Sequence, residues 1–232
     1  MRIVRDQTGR FSHRPHFDAE ELDAECEQAV VAFLDRFYGH AVFPISTDDL
    51  TKFLEQEADD LDLYADLSNE GVGVEGVTYL PAKGGPRVRI ARELSAPQRE
   101  HRLRTTLTHE WGHVHFHRSL WEGRRAELSL FPVPEASSAW RCHRDSIVNA
   151  PKVDWMEWQA GYVCGAVLMP RKHLLSALAD LAAPARSGST PAAEITDHVR
   201  RRFNVSAEAA HVRLSQLGLI MPSGGRALAL GR

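Results

Sequence analysis

Cysteine is scarce in this chain of 232 residues: Cys26, Cys142 and Cys164 are the only three. An odd and small number excludes a disulfide framework and points to a reducing compartment. The sequence also lacks any uninterrupted apolar run of the roughly 18 residues a membrane-spanning helix requires. Met1-Arg2-Ile3-Val4-Arg5-Asp6 has no apolar core of a signal peptide. Together these absences predict a cytoplasmic protein with no membrane partner. The acidic run from Glu55 to Asp66 lacks the central glycine and terminal glutamate of an EF-hand at the required spacing, so it reads as a solvated face rather than a calcium loop. A strong excess of one charge sign is missing too, since the net charge is only −3. That figure conceals an asymmetry. Residues 186–232 hold seven arginines against three acidic residues, a balance of +4, which leaves −7 for the first 185 residues.

What is present is enough apolar side chain, 43% of residues, to build a sizeable core in one or two small domains. Residues 1–16 are polar and read as a flexible, extended N-terminus. Residues 17–182 read as the main domain, 183–190 as a linker by composition, and 191–232 as a C-terminal helical module. Within the main domain, Asp18 to Tyr38 has helical periodicity, and Thr47 is placed to cap a second helix through Leu54. Val72–Leu80 and Arg87–Ala91 flank a turn-rich segment and predict an antiparallel hairpin.

His109-Glu110-Trp111-Gly112-His113 is the most informative stretch. Residues four apart on an α-helix share a face, so His109 and His113 can reach one metal ion, with Glu110 beside them to take a proton from water. Ser95, Pro97 and Gln98 supply an N-cap, a first-turn proline and a capping-box glutamine, which predicts a helix from Ala96 to Arg118. On that helix His117 lies about 12 Å along the axis from His109. It therefore cannot join both ligands on one ion, and a supporting or surface place is expected for His115 and His117.

A tetrahedral zinc site with an open corner needs a third protein ligand. Glu157, at the start of an apolar helix from Trp155 to Met169, is the strongest candidate, although it is equally placed to complete a capping box with Asp154. The two blocks together, His109-Glu110-Trp111-Gly112-His113 and then Glu157-Trp158-Gln159-Ala160 followed by Val167-Leu168-Met169-Pro170, resemble the HExGH, E-x-x-A and L-L-M-P pattern of the ImmA/IrrE metallopeptidases. Arg104-Thr105-Thr106-Leu107 leads into the first block, and the resemblance covers roughly residues 70 to 220.

The resemblance implies an α+β fold: a mostly helical zincin-like core with a small antiparallel sheet and a helix-turn-helix-like C-terminal module. It implies one Zn2+ held by His109, His113 and Glu157, with Glu110 as general base. It further implies an endopeptidase that cuts a helix-turn-helix repressor and so relieves a stress, mobile-element or anti-phage operon. Asp60–Leu67 and Val74–Thr78 look most like the peptidase of peptidase–repressor pairs in bacterial defence operons. The rival expectation is a zinc-containing protein that sequesters a DNA-binding partner without cutting it.

Three further expectations concern the surroundings. The strand Arg87-Val88-Arg89-Ile90 is either an edge that pairs with substrate backbone or an edge guarded by arginines. The segment 119–153 reads as a long loop that must pass the metal. In it Cys142 is an ordinary loop cysteine or an inhibitory fourth zinc ligand, and His143 or Arg144 is a candidate oxyanion stabiliser. In the C-terminal pair, Arg200, Arg201, Arg202 and Arg213 either contact nucleic acid, as an activating signal, or serve a module that packs on the core.

Overall fold

Asp18 starts the first long helix by accepting the amide of Glu21, whose carboxylate returns to the Asp18 amide and closes a capping box. This helix, α1 (Ala19–Tyr38), buries Leu22, Cys26, Val30, Phe33 and Leu34 along one stripe and stops at Gly39, whose φ of 75° only glycine adopts readily. The computed structural model describes residues 1–80, 84–121, 139–143, 154–182 and 192–220. The linker 183–190, Arg144 and residues 221–232 lie outside the described residues.

Residues 1–16 are more ordered than their polarity suggests. Strands β1 (Arg2–Arg5) and β2 (His13–His16) pair antiparallel. Asp6 closes the intervening turn by accepting from the amide and hydroxyl of Thr8 and the amide of Phe11. The hairpin is docked by Arg10 on Asp154 at 2.7 Å and by the Trp155 indole N–H, which donates to Asp6 at 3.2 Å. Helix α2 (Thr47–Glu55) is capped by Ser46, not Thr47: the Ser46 hydroxyl accepts the Asp49 amide, while the Thr47 hydroxyl donates to Glu100.

Strands β3 (Asp60–Ala65), β4 (Val74–Tyr79), β5 (Arg87–Ala91) and β6 (Ala139–His143) form one sheet in the order β3-β5-β4-β6. The β4–β5 hairpin is the expected one, but β3 runs parallel to β5, so the sheet is mixed rather than antiparallel. The acidic run supplies this extra strand. Asp60 pairs with Arg89 at 2.5 Å and Asp66 with Arg92 at 2.9 Å, so neighbouring cations offset part of its negative charge. The placement corrects the substrate-strand reading of Arg87, Val88, Arg89 and Ile90: β5 is interior, and both of its edges are occupied by β3 and β4.

Helix α3 (Glu100–Gly112) starts later than the capping signal suggested. Ser95 caps nothing; its hydroxyl donates to the Arg92 carbonyl in a short 3-10 turn, and a second such turn spans Pro97–Arg99. The sheet covers one side of α3 through β4, β5 and β6, while α4 (Trp155–Leu168) and α2 pack on its other sides, and α1 in turn packs on α4. After α5 (Arg171–Ala182), helices α6 (Ala192–Phe203) and α7 (Ala207–Gln216) pack on each other and against α5 and α4 respectively. Val199, Phe203, Val205, Ala210 and Leu214 belong to the same buried cluster as Leu107, Val163 and Leu168. Buried Arg104 ties this pair to α3 by donating to the carbonyls of Asn204, Phe203 and Ile45.

Arg213 is therefore no nucleic-acid contact. It is fully buried on α7, paired with Asp23 of α1 at 2.7 Å and donating to the Met169 carbonyl. Arg202 donates to the Phe43 carbonyl, and Arg200 and Arg201 share the carboxylate of Asp197. Among the described residues no helix is long and apolar enough to cross a membrane.

Candidate metal centre

The site is built where α3 meets α4. A Cβ on Gly112 would sit 3.3 Å from the Ala160 Cα and 3.2 Å from Val163, so glycine in the first block and alanine in the second let the two helices approach closely. That approach brings Glu157, on the first turn of α4, to the imidazoles of α3. His109 Nε2 and His113 Nε2 are 3.0 Å apart, and the Glu157 carboxylate oxygens lie 3.3 Å from each. Asp154 caps α4 by accepting the Met156 amide, so the cap is made without Glu157.

The donor set fits a small divalent cation. Ligand atoms about 2.0–2.1 Å from a tetrahedral zinc lie about 3.3–3.4 Å from one another, close to the observed triangle. One Glu157 oxygen, Oε2, is buried without a hydrogen-bond partner. His109 and His113 are essentially inaccessible, whereas Glu157 keeps 13% of its side chain exposed, so the Glu157 side is where solvent meets the triad. Although burial alone raises the Glu157 pKa, His113 and His109 outweigh it and hold the carboxyl far below the usual range, as an anion. Among the described residues this is the one group of three or more ligand-type side chains close enough to share an ion.

Glu110 is held from the sheet side. The Thr78 hydroxyl on β4 donates to Glu110 Oε2 at 2.5 Å, and Oε1 is buried without a hydrogen-bond partner. Gly76, two residues earlier on the same strand, makes the room: a Cβ there would stand 2.3 Å from Oε1. Burial raises the Glu110 pKa against the lowering effects of His113, His109 and Thr78, which favours uptake of a proton. Neither Thr78 nor Gly76 was singled out from the sequence as part of the site. A glycine inside a strand does signal close approach by another group, and that cue was available; the register of Thr78 opposite Glu110 was not.

His117 is a supporting residue, as expected from its distance along the helix. The turn His113–His117 is π-helical, wider than an α-turn, and it places His117 Nδ1 3.0 Å from His113 Nδ1. His117 Nε2 lies 2.9 Å from Gln159 Oε1. Burial, reinforced by His113, pushes the His117 pKa down to about 3, so the ring is neutral. His115 instead stacks on Trp111, with centroids 4.5 Å apart, and meets Glu57 at 2.8 Å and Glu25 at 3.3 Å.

Cys142 and His143 lie on β6, a strand and not a loop, with backbones opposite Gly76 and Val74 of β4. The register slips between those two pairs, a bulge beside Glu110. A cleft of about 270 Å³ lined by Arg14, His16, Phe17, Trp155, Trp158 and Gln159 opens beside the same turn of α4 that carries Glu157. In comparisons with known proteins, no family model and no curated protein matches this chain.

Proposed function

We propose that this protein is a zinc-dependent endopeptidase of the ImmA/IrrE kind. The observation that carries the reading is the triangle of His109, His113 and Glu157 beside a buried carboxylate, Glu110, that has one oxygen fixed by Thr78 and the other left without a partner. A site serving only structure has no use for Glu110 in that position.

A zinc ion held by His109 Nε2, His113 Nε2 and the Glu157 carboxylate supplies Lewis-acid activation of water and of the scissile carbonyl when bound. Glu110 accepts a proton from the attacking water at Oε1 and delivers it to the leaving amine nitrogen. The elements of water are thereby added across the peptide bond: hydroxyl joins the carbonyl carbon, the C–N bond breaks, and the amine leaves protonated. Thr78 keeps Oε2 from rotating into that role. The helices on one side and the sheet on the other exclude bulk water from all but the Glu157 side.

The substrate proposed is a helix-turn-helix repressor encoded beside the protein, cut to relieve a stress, mobile-element or anti-phage operon. The proposed activating signal is a nucleic acid reached by Arg200 and Arg201, whose side chains are 40% and 62% exposed. Co-expression of the neighbouring repressor with the wild-type chain and with Glu110→Gln tests the reading. Cleavage with the first and an intact complex with the second is the expected result. Tight binding without cleavage in both supports sequestration and overturns the peptidase.

A further inference from the structure

We propose that Gln159 and His117 are positioning residues that fix the tautomer of His113, so that its Nε2 is bare and faces the metal. The inference rests on the metal-site reading above and extends it to two residues outside the triad.

The argument is proton counting along three buried groups. Gln159 Oε1 has no hydrogen to give, so the 2.9 Å bond to His117 requires a proton on His117 Nε2. A neutral imidazole carries one ring proton, which leaves His117 Nδ1 as an acceptor. The 3.0 Å contact between His117 Nδ1 and His113 Nδ1 then requires the proton on His113. In the tautomer with its proton at Nδ1, His113 has its lone pair at Nε2. That nitrogen is the one 3.0 Å from His109 Nε2 and 3.3 Å from Glu157 Oε1.

The reverse order is equally good for an isolated pair of imidazoles. It places a proton on His113 Nε2 and closes the ligand position. With its Oε1 turned toward His117, Gln159 ends the chain with an acceptor and disfavours that order. His117 is fully buried and Gln159 is 3% exposed, so the contact between the two rings is shielded from water. His117 follows His113 by four residues within a π-helical turn, so the two rings share one helix face and can meet. Metal-binding histidines are commonly oriented by a partner on the second nitrogen, and losing that partner typically weakens metal affinity by about 10–100-fold.

Two measurements test this. In the metal-free wild-type chain labelled with 15N-histidine, long-range 1H–15N correlation spectra are expected to show His117 protonated at Nε2 and His113 at Nδ1; the opposite pattern overturns the proposal. Zinc affinity is then measured by competition with a chromophoric chelator. His117→Leu and Gln159→Leu are each expected to weaken binding by about 10–100-fold, whereas His117→Gln, which offers a carbonyl oxygen to His113 Nδ1, is expected to recover most of the loss. Equal loss in His117→Leu and His117→Gln, with native circular dichroism, assigns His117 to packing and overturns the relay. If the wild-type chain binds no zinc, the metal-site reading fails by itself, and the tautomer spectra still decide the order of protons.

Discussion

Replacing Gly76 with alanine separates the role proposed for Glu110 from that of the candidate metal ligands. The strand residue has no left-handed φ, so its backbone accepts a side chain, and the atoms nearest to a Cβ there among the described residues belong to Glu110 and Thr106. The Cβ would lie 2.3 Å from Glu110 Oε1 and 2.9 Å from its Cδ. Restoring ordinary van der Waals contact requires the carboxylate to move by roughly 1 Å. The displacement is resisted by the Thr78 hydrogen bond and by complete burial, so it is taken up as a shift of the base away from its working place. A misplacement of about 1 Å in a catalytic group costs about 10²-fold in rate. The expected result for Gly76→Ala is therefore cleavage of the repressor slowed by about two orders of magnitude, followed as appearance of the shortened product on a gel. Zinc stoichiometry, by atomic emission, stays at one, since His109, His113 and Glu157 are untouched. Cleavage within a few-fold of wild type would refute the role given to Glu110 and its strand.

Thr78→Val keeps the β-branched shape but removes the hydroxyl donor, and a charge-assisted bond worth about 1.5–3 kcal/mol predicts a loss of kcat/KM of roughly ten- to a hundredfold with zinc content unchanged. X-ray absorption at the zinc edge is expected to show only nitrogen and oxygen neighbours; a sulfur at about 2.3 Å that disappears in Cys142→Ser would establish Cys142 as an inhibitory ligand. Arg213→Met leaves Asp23 buried and unpaired, which costs about 3–5 kcal/mol, whereas the pair Arg213→Met with Asp23→Leu costs much less; equal losses in urea denaturation would show that the ion pair is not what matters. Asp6 sits below the ordinary carboxylate value because hydrogen bonds from Thr8, Phe11 and Trp155 outweigh the opposing effect of burial. Its contribution to hairpin docking is thus complete above about pH 4 and lost as pH falls through the folded value. Asp6→Asn should flatten that acid limb in a Trp fluorescence titration, and an unchanged limb would assign it to another carboxylate. At low salt, where phosphate contacts are strongest, Arg200→Ser with Arg201→Ser should abolish oligonucleotide binding; no binding by the wild-type chain removes nucleic acid as the signal.

The part of the site written most plainly in the sequence is the part made by helical repetition. His109 and His113 had to share a face whatever surrounded them, because one α-turn separates them. Glu157 was weaker, since the same position completes a helix cap, and the choice depended on how closely α4 approaches α3. The small residues Gly112 and Ala160 set that distance, yet nothing local announces which glycine faces which alanine. The boundary errors have a common cause. Ser95 and Thr47 are good capping residues by type, but each hydroxyl found a different partner, Arg92 carbonyl and Glu100 carboxylate, and the chain entered its helices elsewhere.

The strands were read less well than the helices because pairing is a long-range choice. Arg87–Ala91 has the alternation of an edge, but whether an edge stays open depends on what else docks there, and the acidic run Asp60–Ala65 does so in parallel. Charge, which suggested solvent for that run, became a pairing signal only once Arg89 and Arg92 were next to it. The arginines of the C-terminal pair divide in the same way. Arg201 is on the surface, while Arg213, identical in chemistry, is sealed against Asp23 because its place on α7 faces α4 and α1. A cation's role is therefore set by the helix face that carries it. In α7 that face packs on the second half of α4, where Arg213 meets Gly165 and donates to the Met169 carbonyl, so the helical pair anchors the end of α4 opposite the turn that carries Glu157.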